Sequence, residues 1–244
     1  MKLDPAGIER FFESQEEVAR RRVEEATPEL QLTTEEIELL DTEERAILLI
    51  DPCAWVHSSP GWVCAHHASS CGWSRSETRN ASSSCTVNTP AKEWNPKVEA
   101  YGYGSKGWSS AYLHAWCYFD IPARPGPATV DVYTLVRVHG FYVLRPSGGS
   151  ASFTLDLEMK GYQYGWSWAS ASSSVLNLSG DTMGRFDEIR SLHFVMPVGA
   201  DPFLVRVSAK LRATAKRGGA LAVGDFATGA GNYIKPLWVN TYSP

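Results

Sequence analysis

Apolar residues near the start of the chain recur at helical intervals. In GIERFFESQEEVARRRVEEA, Ile8, Phe11, Phe12, Val18, Ala19 and Val23 fall at spacings that are mostly one or two helical turns, and Pro28 should end the run. A second helix is predicted in TTEEIELLDTEERAILLID. There Thr33 and Glu36 have the spacing of a capping box, and Ile37, Leu40, Ala46, Ile47 and Ile50 make one apolar face against an acidic one. Neither stripe can be buried within its own helix. The two must pack on the rest of the chain, on each other or on a second copy.

Beyond residue 96 the period changes from helical to alternating. YLHAWCYFDIP separates Tyr112, His114, Trp116 and Tyr118 from Leu113, Ala115, Cys117 and Phe119. TVDVYTLVRVHGFYVL places Val130, Val132, Thr134, Val136 and Val138 on one face. SFTLDLEMKGYQYGWSW sets Phe153, Leu155, Leu157 and Met159 against Asp156, Glu158 and Lys160. The aromatics that follow, Tyr162, Tyr164, Trp166 and Trp168, occupy even positions, so a bulge or bend is expected at Lys160-Gly161 to keep the apolar face pointing one way. PFLVRVSAKLRATA turns Phe203, Val205, Val207, Ala209 and Leu211 inward and Arg206, Lys210 and Arg212 outward. SLHFVMPV, ALAVGDF and IKPLWVNTY complete the set. Strands without intervening helical patterns predict a mainly β body, an antiparallel β-sandwich or jelly-roll-like fold, behind an N-terminal acidic helical extension.

The segment between these regions has no regular period. Residues 51–96 are rich in Ser, Cys, Trp, His, Asn and Pro and read as an irregular connection, giving a division into 1–50, 51–96 and 97–244. A connection of that length needs something to tie it down. Four of the five cysteines lie in it: Cys53, Cys64, Cys71 and Cys85, with Cys117 in a strand. Three readings follow. Cys64, His66, His67, Cys71 and Cys85 could hold a structural zinc ion, although the tight two-residue cysteine knuckle is missing. Disulfides such as Cys53–Cys64 or Cys71–Cys85 would leave Cys117 free and need an oxidising compartment. Reduced, unpaired thiols are the third.

Charge alters the picture of the head more than that of the body. Residues 1–50 hold 14 acids against 6 bases, leaving 13 acids against 17 bases in 51–244, for a net of −4 overall. An acidic head on a mildly basic body can fold back on it or bind a partner. Lys210, Arg212, Lys216 and Arg217 form a basic patch that the acidic head would explain better than nucleic acid, for which the body's charge is too small. The first residues lack the apolar stretch of a Sec-type signal peptide, so a cytoplasmic protein or export by another route is expected. His114, His139 and His193 fall in strands, where a sheet role is the ordinary one.

The nine tryptophans mostly neighbour Ser, Gly or Ala. In GYGSKGWSSAYLHAW and KGYQYGWSWASASSS most rings are expected to fill the core, and those that face out would be stacking platforms for sugars or anchors at a lipid surface. Trp108, Tyr162, Tyr164, Trp166 and Trp168 are the candidate ligand-binding residues. The expected function is a non-catalytic β-sandwich binding or assembly protein, with a glycan or a protein as ligand and self-association through the N-terminal helices. The alternatives are a metal-dependent hydrolase built on the Cys/His cluster and a secreted membrane-active, pore-forming toxin.

Overall fold

A computed structural model describes residues 5–49 and 61–243; in the helices, side chains are described at 14, 17, 18 and 20–43. The side chains of Ile8, Phe11, Phe12, Ala19, Ala46 and Ile47, and all of Ile50 and Cys53, lie outside the described residues. Helices α1 (Pro5–Leu30) and α2 (Thr34–Leu49) are followed by β1 (Trp62–Ala65), β2 (Ser70–Glu77), β3 (Ala81–Asn88), β4 (Glu93–Tyr101), β5 (Trp108–Ile121) and β6 (Ala128–Arg145). Then come β7 (Ser150–Gln163), β8 (Trp166–Ser179), β9 (Thr182–Val198), β10 (Phe203–Lys216), β11 (Leu221–Asp225) and β12 (Tyr233–Tyr242).

All strand pairings are antiparallel and they build two sheets. One has five strands in the order β2-β5-β10-β7-β8. The other has seven. Its long strand β6 pairs along its whole length with β9 on one side; on the other side it pairs with β12 through residues 131–139 and with β11 through 141–145. β12 carries β1 outward, while β11 carries β4 and then β3. The alternation seen in the sequence places the core between the sheets. Leu113, Ala115, Cys117 and Phe119 of β5, Phe153, Leu155, Leu157 and Met159 of β7, and Val205, Val207, Ala209 and Leu211 of β10 are wholly buried against Trp94, Val98, Val130, Val132, Val136 and Val138 of the facing sheet. The mainly β antiparallel sandwich with a helical extension is therefore the observed fold.

The irregular connection expected over 51–96 is corrected by β1, β2, β3 and the start of β4; residues 51–60 of it lie outside the described residues. β2 and β3 are edge strands whose side chains are largely exposed, so selection for an apolar face, the source of a period-2 signal, is weak there.

The head packs on the outer face of the seven-stranded sheet. Val23 and Leu30 of α1 close a second apolar cluster with Tyr101, Phe141, Val143, Leu221 and Val223. Arg20 lies over the Tyr101 ring at 5.1 Å, and burial pushes the Tyr101 phenol up to about 12. α1 runs two residues past Pro28, with Thr27 Oγ1 donating to the Val23 carbonyl at 2.7 Å. The capping box of α2 forms as expected. The Thr33 amide donates to Glu36 Oε2 at 2.8 Å and the Glu36 amide to Thr33 Oγ1 at 3.3 Å. From the sheet, Arg185 donates to Glu36 at 2.6 Å and to the carbonyls of Glu29 and Gln31, and Arg137 pairs with Glu43 at 3.3 Å. Of the expected apolar stripes, Val23 and Leu40 are buried and Val18 is 44% exposed. The acidic head meets Arg137 and Arg185, while Lys210 and Arg212 belong to the other sheet and face away from it, which corrects the expected pairing of the two charge groups.

Candidate functional site

With helices on one side of the sandwich, the outer face of the five-stranded sheet is covered by no further layer among the described residues. Its side chains follow from register. Across β2, β5, β10, β7 and β8, one row reads Gly72, Trp116, Ser208, Glu158 and Ser172, the next Ser74, His114, Lys210, Asp156 and Ser174. A third reads Ser76, Tyr112, Arg212, Thr154 and Asn177. Each strand thus supplies one column, because alternate residues on a strand share a face. β5 supplies rings (Tyr112, His114, Trp116, Tyr118), β10 cations (Arg206, Lys210, Arg212), and β8 serines (Ser170, Ser172, Ser174).

The rings of β5 are half-buried at their bases and reachable from above. Trp116 lies over Gly72, where a Cβ would stand 3.0 Å from the indole. The His114 ring sits 5.1 Å from that of Trp116, and burial, helped by Arg206 and Lys210, pushes its pKa down to about 4. It is neutral at pH 7. At the centre, Glu158 receives Lys160 at 2.5 Å, Lys210, and Arg206 at 3.6 Å. Burial opposes its charge, but hydrogen bonds from Lys160 and Lys210 outweigh that and hold its pKa below the usual carboxylate value. Arg206 also stacks over Tyr162 at 5.5 Å, and Arg212 over Tyr112 at 5.6 Å.

A groove lies at each end of this face. One, of about 570 Å³, is lined by Ser76, Thr78, Trp108, Ser110, Tyr112, Arg212, Thr214 and Lys216. Its hydroxyls are held in place, with Thr78 Oγ1 accepting from the Ser110 amide at 2.7 Å. The other, of about 540 Å³, is lined by Ser69, Ser70, Tyr118, Asp120, Tyr162, Gln163, Tyr164, Gly165, Pro202, Phe203 and Leu204.

The five candidate aromatics do not form one site. Trp108, 52% exposed, walls the first groove; Tyr162 and Tyr164 wall the second. Trp166 and Trp168 stand 72% and 52% exposed beside the β7–β8 turn, and Trp168 Nε1 donates to the Gln163 carbonyl at 2.9 Å. The register shift expected at Lys160-Gly161 occurs between Gly161 and Tyr162, but the extra residue is on β8, so Tyr162 stays on the outer face and does not turn into the core. The turn itself is two residues, Tyr164 and Gly165, both with positive φ (56° and 80°), the geometry of a tight hairpin turn. These rings were expected mostly in the core, and they are outside it. The β7–β8 hairpin is built into the sheet, since β7 lies between β10 and β8 and sends Phe153, Leu155, Leu157 and Met159 into the core.

The zinc set is not brought together. Cys64 is on β1, opposite Asn240 of the seven-stranded sheet, and Cys71 is on β2 of the other. Cys71 sits directly across from Cys117, at a Cα separation of 4.1 Å, and the two form a disulfide. A sulfur oxidised into that bond has no thiolate to offer zinc. This also corrects the pairing with Cys85 and the free Cys117: among the described residues Cys85 is the free cysteine, its thiol pushed up to about 12 by burial. Cys64 too is disulfide-bonded, and its expected partner Cys53 lies outside the described residues. His66 and His67 lie in the β1–β2 connection, and the His66 carbonyl accepts from Lys92 at 2.7 Å. Among the described residues no three of His, Cys, Asp or Glu gather into a metal-sized group.

Comparison with known proteins finds structures only. No family model and no curated protein sequence matches the chain. Among solved structures it is similar to TmCBM61 in complex with β-1,4-galactotriose, at 10% identity over 73% of this chain and 92% of that one, with a TM-score of 0.27. It is also similar to the C-terminal CBM6 of the laminarinase LamC from Zobellia galactanivorans (10% identity, 74% and 98% covered, TM-score 0.26). A third is the CBM6cm-2 module of Cellvibrio mixtus lichenase 5A in complex with cellotriose (10% identity, 75% and 96% covered, TM-score 0.25). Function must therefore be argued from this chain's own surface.

The β5 column was readable in the sequence as one half of an alternation. Alternation alone does not say which half faces a partner sheet. Only the pairing of β5 between β2 and β10, with no third layer above it among the described residues, makes the aromatic half an outer face.

Proposed function

We propose that this protein is a non-catalytic glycan-binding β-sandwich whose ligand lies along the outer face of the five-stranded sheet. The observation that carries the reading is the run of rings on one strand, Trp108, Tyr112, His114, Trp116 and Tyr118, bordered by serine, threonine and cationic side chains. Sugars offer apolar C–H faces ringed by hydroxyls, so they are matched by aromatic faces beside fixed hydrogen-bonding groups. Side chains two apart on a strand stand about 7 Å apart, so the column can engage several units of a chain at once.

Asp156 and Glu158 share the face as well, which raises glycoside hydrolysis, where paired carboxylates act and one must donate a proton. Glu158 is poorly suited to that role, because three cations hold it charged. Binding is the better account. The disulfide joining β2 to β5 suits an oxidising compartment, where polymeric glycans are met.

The test is a glycan array with the full chain and its Trp116→Ala variant, fold checked by circular dichroism. The reading expects binding to a defined set of glycans and a loss of about 10-fold or more in the variant, the scale of one stacked ring in a desolvated site. No glycan retained by the full chain, or equal retention by the variant, would refute it.

A further inference from the structure

We infer that the groove walled by Trp108 takes an anionic glycan, one carrying carboxylate or sulfate groups along its length; this rests on the glycan-binding reading above. Charge is distributed unevenly over the face. In the middle, Lys160, Lys210 and Arg206 all converge on Glu158, so their charge is committed within the protein. In the Trp108 groove the two cations are Arg212 and Lys216, and no carboxylate lines it. Neither cation is ion-paired among the described residues. The groove at the opposite end has the reverse character, with Asp120 and no cation. A positive groove on a chain of net charge −4 is set against the average charge of the molecule and calls for a negative ligand.

Geometry narrows the ligand further. Arg212 lies over the Tyr112 ring at 5.6 Å, and its guanidinium offers paired N–H groups that match a carboxylate or sulfate. Arg212 and Lys216 lie four residues apart on the same face of β10, roughly 13 Å along the strand. Two cations set at separate points along one strand suit a polymer that carries charges at intervals. Trp108 supplies a 52% exposed ring for a sugar face, and Ser110 and Thr214 supply hydroxyls between the two cations. The same groove thus offers recognition of the ring, the hydroxyls and the charge.

Matched polymers separate the terms. Binding of the full chain and of an Arg212→Gln/Lys216→Gln double variant would be measured by affinity electrophoresis and calorimetry. The probes are polygalacturonate against its methyl ester, dextran sulfate against dextran, and duplex DNA as a non-glycan polyanion. Expected is preference for the charged member of at least one pair. The pair that responds tells carboxylate from sulfate. The double variant should lose about 10-fold or more on that member with no change on the neutral one, and the preference should shrink as salt rises. Equal binding of charged and neutral members, or an unchanged double variant, overturns the inference while leaving the glycan reading in place. DNA held as tightly as the charged glycan also overturns it, in favour of unspecific polyanion binding. Retention of no probe, charged or neutral, overturns the inference, and the glycan array then decides the glycan reading by itself.

Discussion

The indole of Trp116 covers Gly72 on the neighbouring strand, and a Cβ at position 72 would stand 3.0 Å from its ring. The absence of a side chain on β2 therefore decides how low the central ring of the β5 column can lie. Gly72→Val should push the indole off the sheet and weaken glycan binding by about 10-fold, the scale of a lost stacking contact, while leaving the fold intact because residue 72 is on the outer face. Calorimetry against the best array ligand, beside a thermal melt, separates the two effects; unchanged affinity would show that the ring's height is unimportant.

The Cys71–Cys117 bond closes a span of 46 residues and fastens the edge strand β2 to β5. Replacing both cysteines with serine should lower unfolding free energy by about 2–4 kcal/mol in a urea titration. Alkylation under native, non-reducing conditions should leave Cys85 slow to react, since burial raises its thiol to about 12 and little thiolate exists at neutral pH. Rapid labelling of Cys71 or Cys117 before reduction would contradict the pairing.

His114 should titrate far below an ordinary histidine. Its pKa, lowered from 6.5 to about 4 by burial and by Arg206 and Lys210, means that the unfolded chain binds the proton more readily in that interval. The contribution to stability is complete above pH 6.5 and is lost as pH falls toward 4. A histidine-detected NMR titration checks this directly. His114 resonances should stay flat between pH 8 and 5.5, and a midpoint near 6.5 would be the contrary result.

Arg185 ties the head to the body through Glu36 and the carbonyls of Glu29 and Gln31. Arg185→Ala should loosen the docking by about 1–2 kcal/mol, after allowing for solvent screening of an exposed pair. Hydrogen exchange would then quicken over residues 20–43 with little change in β5, β7 and β10. Removing residues 1–50 altogether uncovers Tyr101, Phe141, Val143, Leu221 and Val223, so the truncated body should self-associate in sedimentation. A monomeric, fully soluble body would argue that the head covers nothing essential.

Particular residues show where the sequence was informative. Thr33 and Glu36 form the capping box their spacing implies, and the inward sets of β7 and β10 are those that alternation with charged residues selects, because a sheet buried on one face must alternate. β2 and β3 left no such trace, since Ser70–Glu77 and Ala81–Asn88 lie at sheet edges. The Cys71–Cys117 bond is not legible in the sequence, because it depends on β2 and β5 being neighbours in register, a long-range fact. Trp108 lines a groove, and Tyr112 and Trp116 share its outer face only through the pairing of β5 between β2 and β10, which alternation does not state.

The most direct test of a binding face on the five-stranded sheet is amide and indole chemical-shift mapping with an oligosaccharide that the array identifies. The account predicts that perturbations gather on β5 and β10, including the indole N–H signals of Trp108 and Trp116, with residues 20–43 silent. Perturbations confined to the helical head or to the seven-stranded sheet, with β5 unmoved, would contradict it.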